Sequence, residues 1–246
     1  SAFLEREAAG LSFSTLKKNL EPALAVLADV TRNPTFPADE VAREKKRTLD
    51  DLMQEAQQPM PLAQRLSSML RFGSDHPYGR PAQGLPASIE TLTREDLAAF
   101  HRQTWRPAGS LLVMAGDVTL AEAMVLAEKT FGTWAGTPVV SKTIPLARPG
   151  QAGAYYVADL RGAEQTAIIQ TLPAPARRTP DYDALRLADA VWGGGTFMSR
   201  LNQNLREDKG YTYGAWSALG LYRELGTWLA GSQVQADKTV LALAEF

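Results

Sequence analysis

Between Ala135 and Gly153 this 246-residue chain loses every periodicity: Pro138, Pro145 and Pro149 interrupt any helix, and Gly136, Gly150 and Gly153 interrupt any strand. Patterned segments lie on both sides of that break, so the chain is expected to fold as two bodies. Residues 1–136 form the first, 137–152 an extended linker, and 153–246 the second.

In the first body Leu11 to Leu16 alternates like a short strand, and Asn19 caps a helix with Leu20, Leu24, Leu27 and Thr31 on one face. A second helix runs from about Ala38 to Gln57, directing Val41, Leu49, Leu52 and Met53 inward. A third spans Leu62 to Phe72 and stops at Gly73. Thr93 with Asp96, and Thr119 with Glu122, have the spacing of capping boxes, and after the first of them Leu97 and Phe100 face the core. The continuous apolar run from Ser110 to Gly116 predicts a buried strand.

In the second body strands are expected over Ala154–Asp159 and Thr166–Leu172, followed by a helix opened by Thr179 and Pro180. A short helix covers Met198 to Glu207, and Tyr213–Leu219 and Thr227–Gln235 read as paired strands around a turn at Glu224 to Gly226. The last helix begins near Asp237 and reaches Phe246 without a cap, the pattern expected of a fragment. This order predicts an α+β fold, an α/β sandwich of two domains, each a mainly antiparallel sheet packed with helices and each truncated.

Charge and residue inventory exclude several functions. Lys and Arg number 26 against 27 Asp and Glu, with no basic stripe, so nucleic acid is not an expected partner. No apolar run approaches the ~18 residues of a membrane span. Without cysteine there is no disulfide or thiolate metal site, and the only histidines, His76 and His101, are too far apart for HExxH or HxxEH. His76 is read as a loop or packing residue, and His101, on the polar side of its helix, as a surface or boundary residue. Ser110, Ser199 and Ser217 lack a G-x-S-x-G context. Gly193, Gly194 and Gly195 follow a helix rather than a strand, which suits a sharp turn against a close neighbour better than a phosphate loop.

Two pairs of residues remain. Glu44 and Asp51 are seven apart on one helix, which puts them on one face about 10 Å apart along the axis. Among Arg43, Lys46, Arg47 and Asp50 they read first as a solvated charged face. Arg206 and Tyr213 are also seven apart, across a helix end and a strand start, and both are donors suited to an oxygen that gains negative charge.

The string GGGTFMSRLNQNLREDKGYTYG, with NPTFPADEVAREK, HPYGRPAQG, IETLTREDLAAFHRQTWRP, VMAGDVTLAEA and FGTW before it in that order, resembles the insulinase/processing-peptidase family of zinc metallopeptidases, family M16. The resemblance runs from Leu11 to Leu243 and is to a metal-free unit. It implies a chain inactive by itself that binds peptide substrate, partly by strand addition at a sheet edge, inside a clamshell closed with an HxxEH-containing catalytic unit. That unit would be a separate subunit or the N-terminal half of the same precursor, and zinc is expected there, with no cofactor in this chain. Arg206 and Tyr213 match the pair that such a unit supplies to the scissile carbonyl, and Gly193, Gly194 and Gly195 fall in its substrate-binding run. Asp51 stands where the family carries a ligand glutamate, with Glu44 at the acidic position before it; the shorter aspartate favours a unit without metal. The family also suggests the bacterial periplasm. Two alternatives accompany this reading: a clipped fragment of an active zinc metalloendopeptidase, its HxxEH some seventy-odd residues before Asp51 by the family's ligand spacing, or a structural core subunit with no peptide role.

Overall fold

The computed structural model describes residues 1–137, 143–145, 153–195 and 197–246, and in it helices accompany antiparallel strands, an α+β fold. In chain order the elements are β1 (Ala2–Leu4), β2 (Ala9–Leu11), α1 (Leu20–Arg32), α2 (Ala38–Glu55), α3 (Pro59–Phe72), α4 (Pro86–Thr91), α5 (Arg94–Thr104) and α6 (Leu120–Phe131). Then come β3 (Gln165–Ala174), α7 (Tyr182–Trp192), α8 (Arg200–Asn202), β4 (Thr212–Leu221), β5 (Gly226–Gln235) and α9 (Thr239–Glu245). Contacts group these into two units, Ser1–Thr48 with Leu85–Thr143, and Leu49–Gly84 with Ile144–Phe246. The expected linker, 137–152, lies largely outside the described residues.

In the first unit β1 and β2 pair antiparallel, and α1 buries Leu24, Ala28 and Thr31 on the face its apolar spacing marks out. Lys129 of α6 pairs with Glu21 of α1, and Arg32 donates to the Thr130 carbonyl at 3.3 Å, tying both ends of α1 to the last turn of α6. Thr93 and Thr119 close reciprocal capping boxes with Asp96 and Glu122, so α5 and α6 start where their sequences predict. Phe36 takes a positive φ of 46°, and the carbonyls of Thr35 and Phe36 accept from the Arg94 guanidinium at 3.2 and 2.8 Å.

Three expectations about buried faces fail. Phe100 points outward, and its neighbour His101 turns in, Nε2 donating to the Thr31 carbonyl at 2.9 Å while the ring stacks on Trp105. That carbonyl lies in the last turn of α1, where no intrahelical donor exists, and the imidazole fills the vacancy. Met53 is also exposed, leaving Leu52 as the buried residue of α2. The run Ser110 to Gly116 forms no ladder among the described residues, and Leu111 is 86 % exposed. Continuity of apolar residues marks a strand that can be buried on both faces, but burial needs neighbours to supply the faces. The Ala154–Asp159 segment likewise forms no ladder among the described residues, and Val157 is 93 % exposed.

In the second unit the strand order is β3-β5-β4, all antiparallel. β5 is central and mostly buried, while the β4–β5 hairpin turns where its sequence predicts, just before Gly226. The helices α3 and α9 contact β3, and α7 and α8 contact β4. The core joins Ile168, Leu201, Leu205, Ala215, Ala230, Val234 and Ala242, flanked by Trp192, Tyr211 and Phe246. His76 is buried beside Phe72 and Tyr78; its Nε2 donates to the Pro145 carbonyl at 2.9 Å and its Nδ1 accepts from the Tyr78 N–H at 3.1 Å.

Candidate active site and family

The segment after α7 is built around one buried carboxyl group. Oδ1 of Asp189 accepts from the Ser217 hydroxyl at 2.6 Å and from the Trp228 indole N–H at 2.7 Å, and the Asp189 backbone carbonyl accepts from the N–H groups of Gly193 and Gly194. Those glycines are required by space. A Cβ on Gly193 would lie 2.6 Å from the Ser217 nitrogen, and one on Gly194 would lie 2.5 Å from Asp189 Oδ2. Gly195, at φ 140°, faces open space and is exposed. The Gly193 carbonyl in turn accepts from the Ser217 N–H at 3.0 Å, so the turn is stitched to the outer edge of β4.

Next, Leu201 and Leu205 bury themselves in the core, and the helix widens into a π-type turn over Gln203–Asp208, which carries Leu205. The sequence predicts an ordinary short helix here. The wider turn carries Arg206 at the surface of the core, with its side chain only 27 % exposed. Asn204 and Lys209 hold the turn from below through Glu245 of α9, at 2.8 and 3.0 Å. The chain then enters β4 through a bulge between Thr212 and Ala215. Thr212 Oγ1 donates to the Gln233 carbonyl at 2.7 Å and accepts from the Gly214 N–H, and Ser232 Oγ donates to the Gly214 carbonyl at 3.0 Å. This bulge turns Tyr213 out of the sheet, where it is 86 % exposed.

Arg206 and Tyr213 are brought together by these two irregularities. The Arg206 guanidinium carbon lies 5.2 Å from the Tyr213 ring centre and 4.4 Å from that of Phe197, a residue the sequence patterns do not single out. Its one ion pair among the described residues is a loose one with the adjacent Glu207, Nε to Oε1 at 3.5 Å. Unlike a guanidinium locked in a bidentate carboxylate pair, it retains N–H groups able to donate outward. An arginine and a phenol side by side on an exposed face can hold and polarise a carbonyl oxygen.

Glu44 and Asp51 are not part of this cluster. Both lie on α2, Glu44 pairing with Arg47 at 2.5 Å and, at 3.9 Å, with Arg43, while Asp51 is exposed. His76 and His101 use their ring nitrogens on backbone groups, as described above. No three His, Asp or Glu side chains among the described residues gather where one ion could reach them, so these donors do not fit a zinc site.

The family model for the peptidase M16 inactive domain matches residues 91–246, and the model for insulinase, peptidase family M16, matches residues 1–76. An uncharacterized zinc protease of Mycobacterium bovis is 30 % identical over 231 residues, covering 92 % of this chain and 51 % of that protein. The crystal structure of a peptidase M16 inactive domain from Pseudomonas fluorescens superposes with a TM-score of 0.83 at 29 % identity, over 92 % of this chain and 54 % of that one. A protease from Helicobacter pylori shares the fold at a TM-score of 0.77 and 21 % identity, over 94 % of this chain and 58 % of that one. The chain thus spans about half the length of the curated relatives it matches. With matches to the family's models over most of its length, the protein belongs to the insulinase family of zinc metallopeptidases, peptidase family M16.

Proposed function

We propose that this chain is the metal-free, substrate-binding unit of an M16-type peptidase, in which Arg206 and Tyr213 hold the scissile carbonyl of a peptide cleaved by an HxxEH-containing unit. The observation that carries the reading is the Arg206–Tyr213 pair, a partly exposed guanidinium beside an exposed phenol with no carboxylate locking it. Zinc would reside in the catalytic unit and supply the attacking hydroxide there; this chain would contribute donors for the developing oxyanion. Gly195, facing open space and free of a side chain, would leave room for a peptide backbone, while Gly193 and Gly194 keep the turn tight against Asp189. Residues 1–136 and 153–246 would be parts of two peptidase-like domains joined through 137–152, within a clamshell and, on this reading, in the bacterial periplasm.

Two measurements test the proposal. The purified chain alone should show no chelator-sensitive peptide cleavage, and in the assembled peptidase Arg206→Ala with Tyr213→Phe should depress turnover. Undiminished turnover in the double variant would favour a structural subunit and sink the proposal. A second reading, part of an active zinc protease, draws on the half-length match to zinc-protease relatives. An HxxEH motif upstream in the same reading frame would support it.

A further inference from the structure

We infer that Asn202 is a positioning residue for the Arg206–Tyr213 pair, an inference that rests on the carbonyl-holding role proposed for those two. Among the described residues β4 is an edge strand, and its N–H groups at Ala215 and Ser217 are met from outside the sheet by the Asn202 side chain and the Gly193 carbonyl. At Ser217 the acceptor is the Gly193 backbone carbonyl; at Ala215 it is the side-chain oxygen of Asn202, at 2.9 Å. The amide is oriented from its other end, where Nδ2 donates to Ser199 Oγ at 3.1 Å. Both Asn202 and Ser199 are buried.

Placement gives this bond its consequence. Asn202 is the last residue of α8, at the entrance to the π-type turn that carries Arg206, and Ala215 is the first residue back in register after the bulge that carries Tyr213. Tyr213, being almost wholly exposed, is placed by its flanks: Thr212, bonded to β5, on one side and Ala215, bonded to Asn202, on the other. One buried amide therefore joins the two irregular segments whose ends carry the functional pair. A bulge allows an edge strand alternative registers, and an acceptor anchored on the helix removes them. Hydrophobic packing through Leu201 and Leu205 holds the same helix on the sheet, but it is non-directional and does not fix the strand's phase.

The test uses the complete zinc-loaded peptidase with Asn202→Ala, Asn202→Asp, Ser199→Ala and Arg206→Ala. Asn202→Ala should lower kcat about tenfold with KM nearly unchanged, as expected for a misplacement that begins away from the reacting atoms. Asn202→Asp keeps an acceptor for the Ala215 N–H and should recover most of that loss. Hydrogen exchange at Ala215 should quicken in Asn202→Ala and not in Asn202→Asp. If Asn202→Ala does not fold, Ser199→Ala, which frees the amide without removing it, should still lower kcat at constant KM. Faster exchange at Ala215 with unchanged kcat overturns the inference, as does a change in thermal stability or KM alone, or an unaffected kcat in a folded Ser199→Ala where Asn202→Ala does not fold. Arg206→Ala without effect would instead refute the role of the pair, so the two failures are distinguishable.

Discussion

The guanidinium carbon of Arg206 lies over two aromatic rings, 5.2 Å from the centre of Tyr213 and 4.4 Å from that of Phe197, and neither ring is an acceptor that would consume its N–H groups. The quadrupole of each ring attracts the cation while leaving the edge of the guanidinium plane available. Seven positions of sequence separate Arg206 from Tyr213. A π-type turn and a β-bulge bring them together, and both kinds of irregularity re-aim side chains that regular geometry would point elsewhere.

Replacing Arg206 tests the chemistry of this pair directly. In the assembled peptidase Arg206→Ala should reduce kcat by about 10²-fold or more, the usual cost of an oxyanion donor. Arg206→Lys should recover little of it, because an ammonium offers neither a flat group over the Phe197 and Tyr213 rings nor a fork of donors. Steady-state kinetics on one peptide substrate decide the matter; full activity in the lysine variant would show that charge alone suffices.

Asp189 is the structural counterpart. Removing its carboxyl group with Asp189→Ala strands the Trp228 indole N–H and leaves the Ser217 hydroxyl only the Asp189 backbone carbonyl, 3.3 Å away. A buried unsatisfied donor costs about 1–3 kcal/mol and the weakened Ser217 bond adds up to about 1 kcal/mol, so the loss of stability should be about 1–4 kcal/mol. Urea titration followed by tryptophan fluorescence measures it, and Trp228, in edge-to-face contact with Trp192, should report the local change. A loss below about 1 kcal/mol would mean that water replaces the carboxyl group.

How far these features were legible in the sequence depends on whether their cause is local. The capping boxes at Thr93 and Thr119 and the β4–β5 hairpin are set by short-range patterns, and they form where the sequence places them. Asn202 and Asp189 carry no such mark, since their partners at Ala215, Ser217 and Trp228 are reached only through the fold. The inward turn of His101 in place of Phe100 has the same origin: the face of α5 is chosen by a free carbonyl on α1, which no periodicity in α5 records. The segments Leu111–Val113 and Tyr155–Val157 have strand-like composition without a described neighbour to pair with. Propensity marks them as candidates, and tertiary context decides.

Gly194 offers a steric test. Its missing Cβ would sit 2.5 Å from Asp189 Oδ2 and 2.8 Å from the Asp189 carbonyl oxygen, so Gly194→Ala must displace the group on which the turn is built. A cost of about 1–3 kcal/mol is expected from this overpacking, against little for Gly214→Ala, whose nearest atom would be 3.7 Å away. Equal thermal midpoints for the two variants would argue that the turn relaxes freely.

Acid should weaken the first unit through its capping boxes. The hydroxyl and N–H of Thr93 hold the Asp96 carboxyl below the usual range, and the N–H and hydroxyl of Thr119, then Lys17, do so for Glu122. A carboxyl group whose folded pKa is lowered stabilises the fold fully above its unfolded value, about 4, and loses that contribution as pH falls through the folded value. Stability should therefore decline below about pH 4, and Asp96→Asn with Glu122→Gln should flatten that decline while lowering stability near neutrality. Denaturant midpoints across pH provide the check, and an unchanged acid limb in the double variant would place its origin elsewhere.

The exposed apolar segments predict association. Leu111 and Val113 in the first unit, and Tyr155 and Val157 in the second, are exposed β-branched, aliphatic and aromatic residues in runs without a described ladder. Backbone groups that no described strand pairs, beside apolar side chains, favour pairing with another chain, because each ladder formed removes both from water. This chain should then associate with rising concentration, as seen by size-exclusion chromatography with light scattering. Placing lysine at position 113 or 157 sets a charge in the middle of the run and should shift the distribution toward monomer without loss of helical signal, since neither residue is buried. A single monomeric peak at all concentrations, unchanged by Val113→Lys and Val157→Lys, would show that these segments are covered within the molecule itself.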